Sequence, residues 1–352
     1  MQGKELADTA ADSTSKSQVL DSGRQLSAAI RDALADADFG RARLLAVEGD
    51  GVARDLAHEY TQMHRGLGFT LRALIGQLAD YPTGNDVASL IVVLTRLCSA
   101  YDDTEMVAPE GDPVAPTLAM VLERAGSLID EGEPTFAHDQ SRRADEVIAA
   151  IGEADVALAL DLLAEKQSVY RRIHDPMIRF MADVFAWVLA QSGPSGLVDF
   201  HVETASQQRA GFEKWEHLPA DEFARVTAFL LRQHLGEIDL SEDSEKYTIH
   251  QSPCGSGGQL QLNGAYTGRD ALPVVQTPGP LTFGETRMPV YCTHCAIWNG
   301  SVTLRWFGRA QWVFENPAQP DGTCTLHIYK SRTATPEDYV RRVSLPDGGA
   351  VE

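Results

Sequence analysis

No stretch of this chain approaches the run of about 20 consecutive apolar residues that a membrane span requires. The longest apolar runs, such as Leu90-Ile91-Val92-Val93-Leu94, are short and flanked by polar residues. Residues Met1 to Lys16 are polar and mixed in charge, without the apolar segment of a secretory leader. A cytoplasmic location and no membrane partner are therefore expected. Positive charge is scarce as well: 30 Lys and Arg stand against 50 Asp and Glu, a formal net charge of −20. Nucleic-acid binding draws on Lys and Arg to neutralise phosphates, and the basic pairs Arg142-Arg143, Arg171-Arg172 and Arg341-Arg342 are isolated. No nucleic-acid partner is expected, and the acid excess reads as solvated surface. The sequence also lacks a serine nucleophile elbow, a dinucleotide-binding glycine fingerprint, a P-loop and a kinase signature.

Cysteine is sparse too, five in 352 residues, yet four of the five fall in the last third of the chain. An odd number cannot pair fully within one chain, and thiols in a reducing compartment are ligands or reactive groups more often than disulfides. Cys292 and Cys295 form the knuckle Cys292-Thr293-His294-Cys295. Cys254 sits in Pro253-Cys254-Gly255-Ser256-Gly257-Gly258, and Cys324 in Asp321-Gly322-Thr323-Cys324. These are turn sequences whose glycines let separate sulfurs converge. Cys98, in an apolar helical run, reads as packing.

The first 236 residues or so read as helices. Leu20, Leu26, Ile30 and Leu34 form one stripe between Gln18 and Ala35. Further helices are predicted over Val52 to Tyr81, Asp86 to Tyr101, from near Pro113, over Gln140 to Ile151, Glu153 to Gln191, Gly196 to Trp215 and Ala220 to Leu235. A kink or break is expected at Asp175-Pro176. After Gly236 the grammar changes to Gly, Pro, Thr and alternating apolar residues. Strands are predicted over Tyr247 to His250, Gln259 to Leu262, Ser301 to Phe307, Ala310 to Phe314 and Thr325 to Tyr329. The expected class is α+β. A tail at 1–17 precedes an all-helical bundle domain at 18–236, joined by an acidic linker to a small, loop-rich antiparallel β domain at 246–345. A frayed tail follows at 346–352.

Cys254, Cys292, Cys295 and Cys324 supply the four ligands a tetrahedral zinc prefers, with His250 the substitute should one thiol face away. One knuckle plus two single cysteines is a weaker pattern than paired knuckles. An iron–sulfur cluster is a second reading of the same thiols. A small domain rich in Gly and Pro buries a modest core, so a metal would add stability that packing lacks. The run Gly255-Ser256-Gly257-Gly258 reads as a turn presenting Cys254, or as an anion cradle of backbone N–H groups.

In the helical region Tyr60-Thr61-Gln62-Met63-His64 parallels Tyr170-Arg171-Arg172-Ile173-His174 at a constant offset, which suggests an internal duplication. Each pair, Tyr60 with His64 and Tyr170 with His174, shares a helix face, and together they are candidate acid–base groups lining one cavity. Two functions follow. In the first, a zinc-dependent hydrolase or lyase acts on a small molecule between the helical and β portions. In the second, the zinc is purely structural and the protein is a binding or regulatory module. A small-molecule ligand or substrate is the expected partner, and a homodimer is allowed.

Overall fold

Leucines three and four residues apart decide the first elements. Leu67, Leu71, Leu74 and Leu78 are all buried, as are Leu90, Leu94, Leu97 and Cys98, so each set forms the apolar stripe of an amphipathic helix. The computed structural model describes residues 26–42, 50–80, 87–101, 118–331 and 333–345. Among the described residues the first seven helices are α1 (Leu26–Ala35), α2 (Asp50–Asp80), α3 (Val87–Tyr101), α4 (Leu118–Gly152), α5 (Val156–Gln207), α6 (Arg209–Glu216) and α7 (Ala220–Gln233). The expected tails at 1–17 and 346–352, the helix start at Gln18 and the Pro113 region lie outside the described residues.

Two predicted helices, one starting near Pro113 and one over Gln140 to Ile151, are parts of the single α4. The break expected at Pro176 is absent, and α5 runs through it. The cost of a proline inside a helix, roughly 3 kcal/mol, is outweighed by the packing on its far side. Met177, Ile178, Met181, Val184, Phe185 and Val188 are all buried. The chain does turn at Gly193, whose φ of 68° and ψ of −173° interrupt the helix before Pro194. Only there does the backbone leave helical geometry.

Beyond α7 lie β1 (Ile238–Glu242), β2 (Lys246–Gln251), α8 (Gly257–Leu262), β3 (Val274–Val275), β4 (Met288–Pro289), α9 (Thr293–Cys295), α10 (Val302–Phe307), β5 (Val313–Asn316), β6 (Cys324–Tyr329) and α11 (Glu337–Val343). A π-wound turn, Ala296–Ser301, connects α9 to α10. The main sheet has the order β1-β2-β6-β5 and is antiparallel throughout, with a bulge between Phe314 and Asn316; β3 and β4 pair separately. The α+β class is thus the observed one.

Three expectations are corrected here. Gln259 to Leu262 and Ser301 to Phe307 are helical, not extended, because short apolar alternations cannot by themselves separate a strand from a buried helical turn. The acidic stretch around Glu237 to Glu245 is no solvated linker: Ile238–Glu242 is β1, paired with β2 from Ile238↔Gln251 to Glu242↔Tyr247. Its turn closes on Asp243, whose Oδ1 accepts from the backbone N–H groups of Glu245 (2.7 Å) and Lys246 (2.9 Å).

The helical core continues past the predicted boundary. One apolar cluster runs from Ala33 through the bundle to Leu260, Leu281, Val290, Ile297 and Val302. A second packs α7 and the sheet through Phe223, Leu231, Ile249, Leu326 and Ile328. A buried ion pair joins the portions, with Arg309 Nε donating to Glu216 Oε1 at 3.1 Å and Oε2 at 3.2 Å. Gln311 Nε2 donates to the backbone carbonyl of Phe212 at 2.9 Å. Arg309→Met would strip the guanidinium from a buried carboxylate and is expected to cost about 3 kcal/mol. Chemical denaturation of the two proteins measures this, and equal midpoints would refute it.

Candidate functional site

A cleft of about 1350 Å³ opens between α2, α6 and α7 on one side and the cysteine-bearing segments on the other, and Cys254, Cys292, Cys295 and Cys324 all line it. Each sulfur arrives from a different local context. Cys324 begins β6 opposite Gln251, and since side chains alternate along a strand, it faces the same core as Leu326. That alternation also removes His250 from the group. His250 lies one residue out of phase, is exposed, and shares a hydrogen bond of 2.9 Å with Thr325 Oγ1. Its expected role as substitute ligand is corrected on this ground.

Cys254 is tied to the same end of the sheet by its backbone N–H, which donates to the carbonyl of Gly322, two residues before Cys324, at 2.9 Å. Behind it the glycines admit no side chain. A Cβ on Gly255 would meet the His234 carbonyl oxygen at 1.9 Å, one on Gly257 would meet Cys292 Sγ at 2.6 Å, and one on Gly258 would meet the Gly322 carbonyl oxygen at 2.2 Å. The glycine run therefore draws Cys254, the knuckle and the start of β6 together. Within this run Gly255 and Ser256 form a turn, and Gly257 and Gly258 open α8.

The knuckle is held from α5. Thr293 Oγ1 donates to the Val290 carbonyl and lies 2.8 Å from His201 Nε2, which donates to it in turn. Trp298 Nε1 donates to the His201 carbonyl at 3.0 Å. His294 is fixed through Nδ1 to the Tyr291 carbonyl and lies 3.5 Å from Cys295 Sγ.

The thiols feel one another. Burial, then Cys295, Cys254 and Cys324, hold Cys292 well above the ordinary thiol range; burial, then Cys254 and Cys324, do the same for Cys295. Cys324 is pushed up to about 12 by burial and by Cys254. Burial and neighbouring thiols thus oppose the ionisation of Cys292, Cys295 and Cys324 alike. All four are free thiols. As the side chains stand, no three or more His, Cys, Asp or Glu groups among the described residues are arranged as a metal ion requires.

The chain matches no family model, no curated protein and no solved structure.

The expected Tyr and His pairs do not meet on the cleft wall. Tyr170 OH donates to the Gln233 carbonyl at 2.7 Å, and His174 Nε2 lies 3.1 Å from His234 Nδ1, with Asp175 Oδ1 2.9 Å from His174 Nδ1. Both residues sit behind the end of α7 and do not line the cleft. His64 is buried on α2 and does not line it either, whereas its neighbours Met63 and Arg65 do. The side chain of Tyr60 lies outside the described ones. The residues that sequence reasoning missed are His234, His201 and Tyr291. His234 lines the cleft, accepts or donates at 3.1 Å to Ser256 Oγ, and links α5 to the loop bearing Cys254. The only signal for it was its place at the end of a helix just before Leu235-Gly236.

Burial lowers the pKa of His174 against the opposing pull of Asp175, with Arg171 adding to the lowering. Burial, then His174 and His294, lower His234 well below the ordinary value of 6.5, and burial with His294 does so for His201. These rings stay neutral when folded, while the unfolded chain takes up protons near pH 6.5. Their contribution is thus present above about pH 6.5 and is lost as the pH falls below it. Tm is expected to drop by about 10 °C or more between pH 7.5 and 5. A Tm that holds steady across that range would contradict this.

Proposed function

We propose that this chain is a zinc-thiolate protein in which Cys254, Cys292, Cys295 and Cys324 hold one zinc ion, with a small-molecule cleft beside it. The supporting observation is that four free thiols from three separated segments line one cleft, and that burial and neighbouring thiols raise the pKa of Cys292, Cys295 and Cys324. A dication reverses that mutual opposition, since thiolate is the form that binds metal. Rotation about the Cα–Cβ bonds must bring the sulfurs to ligand distance, and the close backbone approaches at Gly255, Gly257 and Gly258 support this reading.

A shell of four thiolates leaves no open position, so the zinc is read as structural: it staples β6, the Cys254 loop and the knuckle. The cleft supplies the function as a binding or regulatory module. A hydrolase or lyase acting at the zinc would need one cysteine to stay off the metal. The position of Tyr170 and His174 behind α7, away from the cleft, gives that reading less support.

Metal analysis of the purified protein is expected to find about one zinc per chain and no iron. In the cobalt-substituted protein the visible bands should be those of a tetrahedral tetrathiolate. A metal-free protein, or an iron-coloured one, would defeat the proposal. Bands of a site with a water ligand would shift it to the catalytic reading.

A further inference from the structure

Two amide side chains on the cleft wall each leave a polar atom with nothing in the protein to bind. Gln233, at the end of α7, and Gln251, at the end of β2, both line the cleft and are only 5% and 3% exposed. Among the described residues Gln233 Nε2 and Gln251 Oε1 are buried without a hydrogen-bond partner. One is a donor and the other an acceptor. Both stand at the same end of α7. Gly236 closes that end by donating to the Leu231 carbonyl at 3.1 Å, and a Cβ on this glycine would lie 3.3 Å from Gln251 Oε1.

A buried amide atom without a partner has lost its hydration and gained nothing in exchange, which is why native structures leave few of them. Elsewhere on the wall the same side chain is satisfied: Gln208 Oε1 accepts from Thr70 Oγ1 at 3.1 Å, and its Nε2 donates to the Thr204 carbonyl at 3.2 Å. Gln233 and Gln251 differ in that a ligand has to complete them. The terminal torsion of glutamine is broad, so a modest rotation turns each atom into the cleft. Around them the wall is apolar and aromatic, with Leu67, Phe212, Trp215, Trp298 and Trp312. Such a cleft takes a hydrophobic body and fixes it by a few placed polar groups. Neither amide carries charge, so an ion laid against them would give up its hydration for no opposite charge. A neutral group that accepts and donates side by side meets both.

We infer that the cleft binds an uncharged aromatic amide, its carbonyl accepting from Gln233 Nε2, its N–H donating to Gln251 Oε1 and its apolar body laid against the tryptophans. This gives the chemical class of the ligand and rests on the small-molecule half of the proposed function, not on the metal. The probes are 2-naphthamide, methyl 2-naphthyl ketone and 2-naphthoate, which share one apolar body; the ketone accepts but cannot donate, and the acid is charged. Calorimetric titration of the full-length protein should show the amide binding about ten-fold more tightly than either of the others. In Gln251→Met the amide should fall to the affinity of the ketone, with the ketone unchanged. In Gln233→Met amide and ketone should weaken together by about ten-fold, since both lose the donor to their carbonyl. Neither variant should lower Tm, because each removes an unpartnered buried group. The comparison of amide with ketone needs no variant, so it stands even if a substitution fails to fold. An amide bound no more tightly than the ketone or the acid, or an amide preference that survives Gln251→Met, would overturn the inference and leave the small-molecule reading in place. No saturable binding of any probe would sink both. Zinc content, measured on the same samples, keeps the metal apart: a zinc-free protein that prefers the amide sinks the metal site alone.

Discussion

Gly255→Ala is expected to destabilise the protein by more than about 4 kcal/mol, the range in which single substitutions are exceptional. The new Cβ would lie 1.9 Å from the His234 carbonyl oxygen and 2.4 Å from both the Leu235 carbonyl carbon and the Gly236 nitrogen. All three are backbone atoms, so no side chain can swing aside, and relief requires the end of α7 to part from the Cys254 loop. That end is itself anchored, since Tyr170 holds the Gln233 carbonyl and His174 meets His234. Gly264→Ala serves as a comparison. Its φ of +76° carries strain, but the nearest atom to its Cβ is Thr267 Oγ1 at 3.2 Å, a side-chain atom able to move, so the effect should be much smaller. Urea denaturation of both variants decides the matter. A Gly255→Ala protein as stable as Gly264→Ala would show that the loop is not pinned where the structure places it.

The second large effect concerns the thiols. With the proposed zinc site, Cys295→Ser and Cys324→Ser are each expected to abolish zinc binding and to destabilise the helical bundle together with the region from β2 to β6, because one apolar cluster runs through both. The magnitude follows from the metal's share of stability: structural zinc contributes an apparent 10 kcal/mol or so in small folded units, and hydroxyl is a far poorer ligand than thiolate. Without zinc, burial of neutral sulfur would leave packing nearly intact, because a thiol and a hydroxyl differ little in size. The outcome therefore discriminates. Loss of a few tenths of a kcal/mol with unchanged metal content would remove the cysteines from the metal. Cys98→Ser, in the buried stripe of α3, controls for thiol burial as such and should leave the zinc in place.

Much of the helical architecture was legible in residue spacing, because an amphipathic stripe needs only local periodicity. The lengths of α4 and α5 were not. Proline at 176 signals a break, and only the buried residues that follow it show why the helix continues. The two short segments misread as strands, Gln259 to Leu262 and Ser301 to Phe307, carry four to seven residues of pattern, too few to distinguish a period of 2 from one of 3.6. For the site, the cysteines drew attention through their turns, but their common cleft depends on close backbone approach at three glycines. The role of His234 left almost no trace in the sequence, since its partners His174 and Ser256 lie 60 and 22 residues away.

By itself the sequence determined the helical stripes, the acid excess, the change of pattern after Gly236 and the clustering of four cysteines in the last third of the chain, all of which are local or additive properties. Tertiary structure decided which side chains share a space. Strand alternation turned Cys324 inward and His250 outward, the packing of α5 placed Tyr170 and His174 behind α7, and folding gathered four cysteines onto one cleft. Those outcomes depend on contacts between residues far apart in the chain, which spacing along the sequence does not encode.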